Sequence, residues 1–244
     1  MTSEDGLENP SLIHEGPTGA CLGKPLAPLI LVHDGGGTTF SYHCLEPINR
    51  PLYGIHNVFL HQGGYWEGGI PEIASHYIGL LSDIMPYGGD ILLGGWSFGG
   101  LLSLEMAHQL ATAPLGAPRF RVLGMVFIDS VYPHHVVDPA RPALSLPDQP
   151  IVKSMEELQA MKLKEKVDLN MTHARMMARR WVLPKYEGIP IPPTILLRAK
   201  ENTESESQTF VDHSRTYRML GWEKYVEQVD QIRAAADALD EPAF

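Results

Sequence analysis

Cysteine is almost missing from this chain of 244 residues: only Cys21 and Cys44 occur. With no secretory signal ahead of them, two thiols read as reduced core residues rather than a disulfide framework, and the expected compartment is the cytoplasm. Basic charge is also short. Lys and Arg number 19 against 29 Asp and Glu, a formal net charge of −10, which argues against a surface for nucleic acid or an anionic membrane. No stretch reaches the roughly 18 consecutive apolar residues of a membrane-crossing helix. The segment Met1–Pro10 is acidic and polar, a loose lead-in rather than a signal peptide. His56, His61, His76, His108 and His173 have no Cys or carboxylate partners at ligand spacing, so no metal is expected, and no cofactor. Finally, no histidine follows His213.

What the chain does have is 44% hydrophobic residues, enough for one α/β domain over residues 1–244 that buries a full sheet. Leu29–His33, Leu52–Ile55, Ile91–Gly94, Val122–Ile128 and Thr194–Ala199 are short apolar runs that read as strands buried on both faces. Helical stretches separate them, which predicts a mostly parallel central sheet covered by helices on both faces. Ile70–Met85 carries apolar residues at helical spacing with Pro71 near its start, and Leu101–Leu110 reads as a second helix. A proline-rich, poorly periodic stretch, Val136–Pro150, precedes a helical one from Met155 to Trp181. Residues 136–188 are read together as a lid insertion, whose methionines suit either an irregular acyl chain or an ordinary core.

The run Ile91–Gly94 leads straight into Gly95-Trp96-Ser97-Phe98-Gly99, a G-x-S-x-G nucleophile elbow in strand–turn–helix context. Glycines on both sides permit the tight turn that exposes the Ser97 hydroxyl. A serine nucleophile needs oxyanion donors, a base and an orienting acid. The backbone N–H of Phe98 is one expected donor, and Gly35 or Gly36 in His33-Asp34-Gly35-Gly36-Gly37 supplies another. That loop lacks the Lys-Ser/Thr of a P-loop and the G-x-G-x-x-G spacing, so a phosphate cradle is disfavoured. Asp129 follows Val122–Ile128 and would stand at the next strand end as the orienting acid; its alternative is to cap the turn Ser130–Pro133. Arg175, Arg179 and Arg180 form a basic patch that reads more simply as a solvated helix face.

Several blocks together resemble the thioesterase domains of the α/β-hydrolase superfamily that release products from nonribosomal peptide and polyketide synthases, particularly fungal, stand-alone members. They are Leu31-Val32-His33-Asp34-Gly35-Gly36-Gly37-Thr38-Thr39-Phe40-Ser41-Tyr42, Tyr53–Asn57, Trp66–Glu72, Leu93–Gly100, Ile128-Asp129-Ser130 and Leu220-Gly221-Trp222. The resemblance implies an α/β-hydrolase fold with a helical lid. It also implies hydrolysis of an acyl or peptidyl thioester carried on the phosphopantetheine arm of a carrier protein in secondary-metabolite biosynthesis, a class that includes mycotoxins. Ser97 would be the nucleophile and Asp129 the triad acid. The family's base is a histidine in a loop after the last long strand, here matched to Val226–Ile232, and this chain departs from the pattern beyond residue 232. Three accounts remain open. The sequence has lost the family's C-terminal segment; or the base comes from His213, His134 or His135; or the chain holds an acyl intermediate without hydrolysing it. A small-ester hydrolase on the same fold is a further alternative.

Overall fold

The computed structural model describes residues 8–17, 26–62, 64–114, 120–133, 146–186, 189–202, 209–226 and 232–233. The apolar runs form the strands expected of them. Leu-, Ile- and Val-rich segments pair in the sheet interior because both of their faces can be buried there. In chain order the strands are β1 (Ser11–His14), β2 (Leu29–Val32), β3 (Leu52–Ile55), β4 (Gly89–Trp96), β5 (Phe120–Ile128), β6 (Thr194–Leu197) and β7 (Ile232–Arg233). They lie in one sheet in the order β1-β3-β2-β4-β5-β6-β7. Every pairing is parallel except the edge pair β1–β3.

Helices α1 (Phe59–Gln62), α2 (Gly69–Ile84), α3 (Phe98–Thr112), α4 (Met155–Ala160), α5 (Leu163–Arg180), α6 (Thr209–Ser214) and α7 (Glu223–Val226) flank the sheet. One sheet face turns Ile30, Val32, Ile91, Leu93 and Phe127 into a core shared with α2 and α3. The other carries a smaller cluster of Leu29, Leu31, Leu52 and Tyr42. Trp222 is wholly buried at the α7 end, in ring contact with Phe127, Tyr132 and Tyr225, and its indole N–H donates to the Ser130 carbonyl at 2.9 Å.

The strand order reverses between β2 and β4. The chain leaves β2 for β3 on one side and returns to add β4 on the other, so the loops after β2 and β4 diverge and leave a crevice at their carboxyl ends. The register sets what meets there. Val32 pairs with Gly95, and Trp96 pairs with Ile128, so the loops beginning at His33, Ser97 and Asp129 leave adjacent strand ends.

Several expectations need correction. The lead-in is not loose throughout. Residues 1–7 lie outside the described residues, but Ser11–His14 pairs with β3, and buried Asn9 exchanges side-chain hydrogen bonds with the His56 backbone at 2.9 and 3.2 Å. The helical stretch Met155–Trp181 is two helices, broken at Met161 and Lys162, both extended. Two capping carboxylates start it twice: Glu157 accepts the Ser154 N–H and Glu165 the Lys162 N–H. Val226, expected in the last strand, ends α7; of the rest of that expected strand, residues 227–231 lie outside the described residues and Ile232 is in β7. Cys44 is an exposed free thiol rather than a core residue, and Cys21 lies outside the described residues.

Candidate active site

Ser97 has φ 53° and ψ −112°, a conformation that L-residues rarely hold without surrounding constraint. The constraint is visible on both sides. A Cβ on Gly95 would stand 2.6 Å from the Val32 carbonyl oxygen, and one on Gly99 would stand 2.7 Å from that of His33, so only glycines let the elbow pass this close to β2. The Ser97 N–H donates to the Ile128 carbonyl at 2.8 Å, tying the turn to β5. Tyr42 adds a brace that the sequence did not single out. Its hydroxyl donates to the Val32 carbonyl at 2.6 Å and accepts the Trp96 N–H at 2.8 Å, bridging the ends of β2 and β4, and burial pushes its phenol well above the ordinary range. The Ser97 Oγ is left without a hydrogen-bond partner among the described residues.

Two backbone donors face the same crevice. Phe98 opens α3, so its N–H has no carbonyl four residues back to bind, and the helix N-terminus adds a positive potential there. In the glycine loop the assignments divide. The Gly36 N–H is taken by Asp34 Oδ1 at 2.9 Å and the Gly37 N–H by the Asp34 carbonyl at 3.1 Å, whereas the Gly35 N–H has no acceptor among the described residues. Of the two expected glycine donors, Gly35 is the one whose N–H is uncommitted. Burial raises the Asp34 carboxyl above its usual value, and the loop N–H groups pull it back down.

His33 holds this loop from beneath. Its Nδ1 lies 2.5 Å from the Asp34 carbonyl and its Nε2 lies 2.7 Å from the Tyr77 hydroxyl. A carbonyl can only accept, so Nδ1 carries the proton and Nε2 accepts from Tyr77. Both nitrogens are therefore occupied, and His33 has no lone pair to offer Ser97. Burial lowers its pKa to about 4, so it is neutral at pH 7.

Asp129 stands on β5's carboxyl end with φ 48°, its side chain nearly buried. The Ala199 N–H donates to Oδ1 at 3.1 Å, and the Arg215 guanidinium ion-pairs with Oδ2. Arg215 is itself buried, with further bonds to Asp212 Oδ1 at 2.6 Å and to the Ala199 carbonyl at 3.3 Å. No sequence signal marked this pairing, because the two residues are 86 positions apart. The donors to Asp129 among the described residues are thus a backbone amide and an arginine, not a histidine. His213 lies on α6 with its ring edge-on to Tyr217 at 6.2 Å between centroids. His134 and His135 lie outside the described residues.

Helix α5 packs over the glycine loop. A Cβ on Gly35 would meet Met171 Sδ at 2.6 Å, one on Gly36 would meet Val167 Cγ1 at 2.9 Å, and one on Gly37 would meet Asn170 Oδ1 at 3.4 Å. Asn57 joins these parts. Its Nδ2 donates to Asn170 Oδ1 at 2.5 Å, and its Oδ1 accepts the Trp66 indole N–H at 3.1 Å and the Phe59 N–H at 3.2 Å. At the far end of α5, the Trp181 indole donates to the buried Glu105 of α3 at 3.0 Å. Beneath α5 runs a narrow cleft that reaches from His173 and Met177 to Gly35 and Phe98. Met177 thus borders this space and Met171 lies against Gly35, whereas Met176 is ordinary core at 2% exposure. Of the basic patch, Arg180 donates to the Asp148 carbonyl at 2.7 Å, and Arg179 is exposed. Among the described residues no cluster of His, Cys, Asp and Glu could hold a metal, and no helix is long and apolar enough to cross a membrane.

The family profile described as "Thioesterase domain" matches residues 27–234. The chain is 38% identical over 227 residues to thioesterase frbE of Dothideomycetidae sp., covering 90% of this chain and 82% of that one. It is 48% identical over 106 residues to nonribosomal peptide synthetase imqB of Aspergillus flavus, covering 43% of this chain and 3% of that much longer protein. Among solved structures, the NocB thioesterase domain from the nocardicin cluster superposes with a TM-score of 0.58 at 22% identity, covering 85% of this chain and 81% of that one.

Proposed function

Because this chain belongs to the thioesterase family, we propose that it cleaves an acyl or peptidyl thioester presented on the phosphopantetheine arm of a synthase's carrier protein, with Ser97 as nucleophile. The observation that carries this reading is the strained Ser97, held at φ 53° beside two uncommitted backbone donors, Phe98 N–H and Gly35 N–H. Ser97 Oγ adds to the thioester carbonyl as its hydroxyl proton passes to solvent water, and the oxyanion that forms is held by those two N–H groups. Collapse of the tetrahedral intermediate expels the thiolate and leaves an acyl-serine, which water then hydrolyses.

A thiol with a pKa near about 8.5 leaves as the thiolate without a proton donor, unlike an alkoxide or an amine. Thioester chemistry therefore asks less of a histidine than amide or ester cleavage does. That matters here, where Asp129 is bound by Ala199 and Arg215. Asp129 remains the candidate acid, positioned by those two bonds. Residues 136–188 act as the lid, and an exposed free thiol at Cys44 fits a reducing, cytoplasmic setting.

Incubation with an acyl-pantetheine thioester and, separately, with a fluorophosphonate tests the assignment. Wild type is expected to hydrolyse the thioester and to be labelled at Ser97, and Ser97→Ala is expected to lose the label and at least a thousandfold in kcat, on the order of nucleophile deletions elsewhere. Turnover by Ser97→Ala at the wild-type rate would show the nucleophile to be misassigned. Labelling of Ser97 without turnover would favour holding an acyl intermediate over hydrolysing it, the reading to which the Arg215–Asp129 pair lends support.

A further inference from the structure

A second narrow cleft adjoins the one that ends at the glycine loop, and the two share the walls Phe59, Gly64, Asn170 and His173. It runs between α1, α4 and α5 toward Lys153 and Lys166, past Leu158 and Leu169. Helix α5 fixes the spacing. Val167, Asn170, Met171 and Ala174 come against the glycine loop at i, i+3, i+4 and i+7, and Lys166, Leu169, Asn170 and His173 form the neighbouring stripe that lines the outer cleft. From Lys166 to Ala174, over Gly35, the helix rises about 12 Å.

The charge of this outer cleft runs against that of the molecule. The chain carries ten more acidic than basic residues, yet the cleft's walls include two lysines and no carboxylate. Lys153 is at the rim, its side chain 36% exposed and paired with Glu157 at 3.1 Å. Lys166 is half-buried, and among the described residues its ammonium has neither an ion pair nor a hydrogen bond. A partly desolvated, unpartnered ammonium is a strong attractor for a phosphate, since charge-assisted contacts strengthen as water is removed.

We propose that Lys166, with Lys153 at the rim, forms the phosphate subsite for the phosphopantetheine arm of the substrate, holding its phosphodiester while the thioester end reaches Gly35 and Phe98. The wall chemistry follows the arm in order: cations for the phosphate, Leu158 and Leu169 beside its dimethyl-bearing segment, Asn170 beside its amides, and the oxyanion loop at the thioester. This inference rests on the thioesterase reading of Ser97. The same phosphate occurs in coenzyme A, so the two sources must be separated by experiment.

One acyl group is offered on pantetheine, phosphopantetheine, coenzyme A and a carrier protein, to wild type, Lys166→Ala and Lys166→Arg. Lys166→Ala is expected to raise KM about tenfold for the phosphopantetheine and carrier-protein substrates, the scale of one charge-assisted contact, with kcat unchanged. The pantetheine thioester, which lacks the phosphate, should keep its wild-type KM, and Lys166→Arg should retain most of the affinity. Equal losses with and without the phosphate, or no loss on either, overturns the subsite. A loss confined to coenzyme A overturns the carrier-protein assignment. Should wild type hydrolyse none of the four, the thioesterase reading fails, and calorimetry with non-hydrolysable phosphopantetheine and pantetheine thioethers still decides the subsite. Tighter binding of the phosphorylated thioether that vanishes in Lys166→Ala supports it, and equal binding of the two overturns it.

Discussion

Ser97, Asp129 and the glycines around them act through backbone positions more than through their own side-chain contacts. Gly99 illustrates this. The space where its Cβ would be is filled by the carbonyls of Val32 and His33, both fixed in or beside the sheet. Neither carbonyl can swing away as a flexible side chain would. Gly99→Ala is therefore expected to destabilise the fold by about 3 kcal/mol, the upper end for overpacking, read as a lower urea midpoint at unchanged slope. An unchanged midpoint would mean that the elbow can retreat from β2. The G-x-S-x-G spacing made this residue legible in the sequence, because the glycines are required by a local turn. Arg215 was not legible. Its role depends on the turn after α6 folding back onto β5, and nothing in Ser214-Arg215-Thr216 announces a buried partner.

At the scale of the element, α5 both covers the glycine loop and walls the clefts beside it. One of its polar contacts with the body runs from Asn170 to Asn57, and Asn57 also receives the Trp66 indole, 7% exposed. The two asparagines should differ on substitution. Asn170→Ala removes the bond from Asn57 and the side chain's own bond to the Lys166 carbonyl and is expected to cost about 1 kcal/mol, whereas Asn57→Ala also strands a buried indole N–H and should cost about 2 kcal/mol. Both should speed amide hydrogen exchange across Leu163–Arg180, a local opening that exchange reads directly. Exchange in α5 no faster than in wild type would show that Trp181 and the apolar contacts hold the lid alone. Apolar periodicity revealed that this region is helical, but not that it is two helices. Apolar residues persist across Met161 and Lys162, and the break comes from Glu157 and Glu165, each capping the start of its own helix.

Across the whole molecule, stability is linked to pH through His33. Its pKa falls from 6.5 in the unfolded chain to about 4 in the fold, so between these values the unfolded state binds more protons. Stability is then full above about pH 6.5 and declines as pH falls toward 4, by roughly 3 kcal/mol in all. Burial also lowers His76 and His173, which adds slope of the same sign, while the raised carboxyl of Asp34 opposes it. The comparison that isolates His33 is therefore wild type against His33→Gln, with urea unfolding measured at pH 7 and pH 5. The variant is expected to lose less stability between the two. Equal losses would place the linkage on the other histidines.

By itself the sequence determined the strands β2 to β6, the long helices α2 and α3, the elbow at Ser97 and the adjacency of Asp129. Each of these is written in local composition: apolar runs that must be buried, apolar residues at helical period, and glycines where a side chain would clash. Only the tertiary structure decided which groups are already committed. It gave the Gly36 N–H to Asp34, both His33 nitrogens to Asp34 and Tyr77, and the Asp129 carboxylate to Ala199 and Arg215. Hydrogen-bond capacity is finite and is spent between residues far apart in the chain. The sequence shows which groups could act, and the fold shows which remain available.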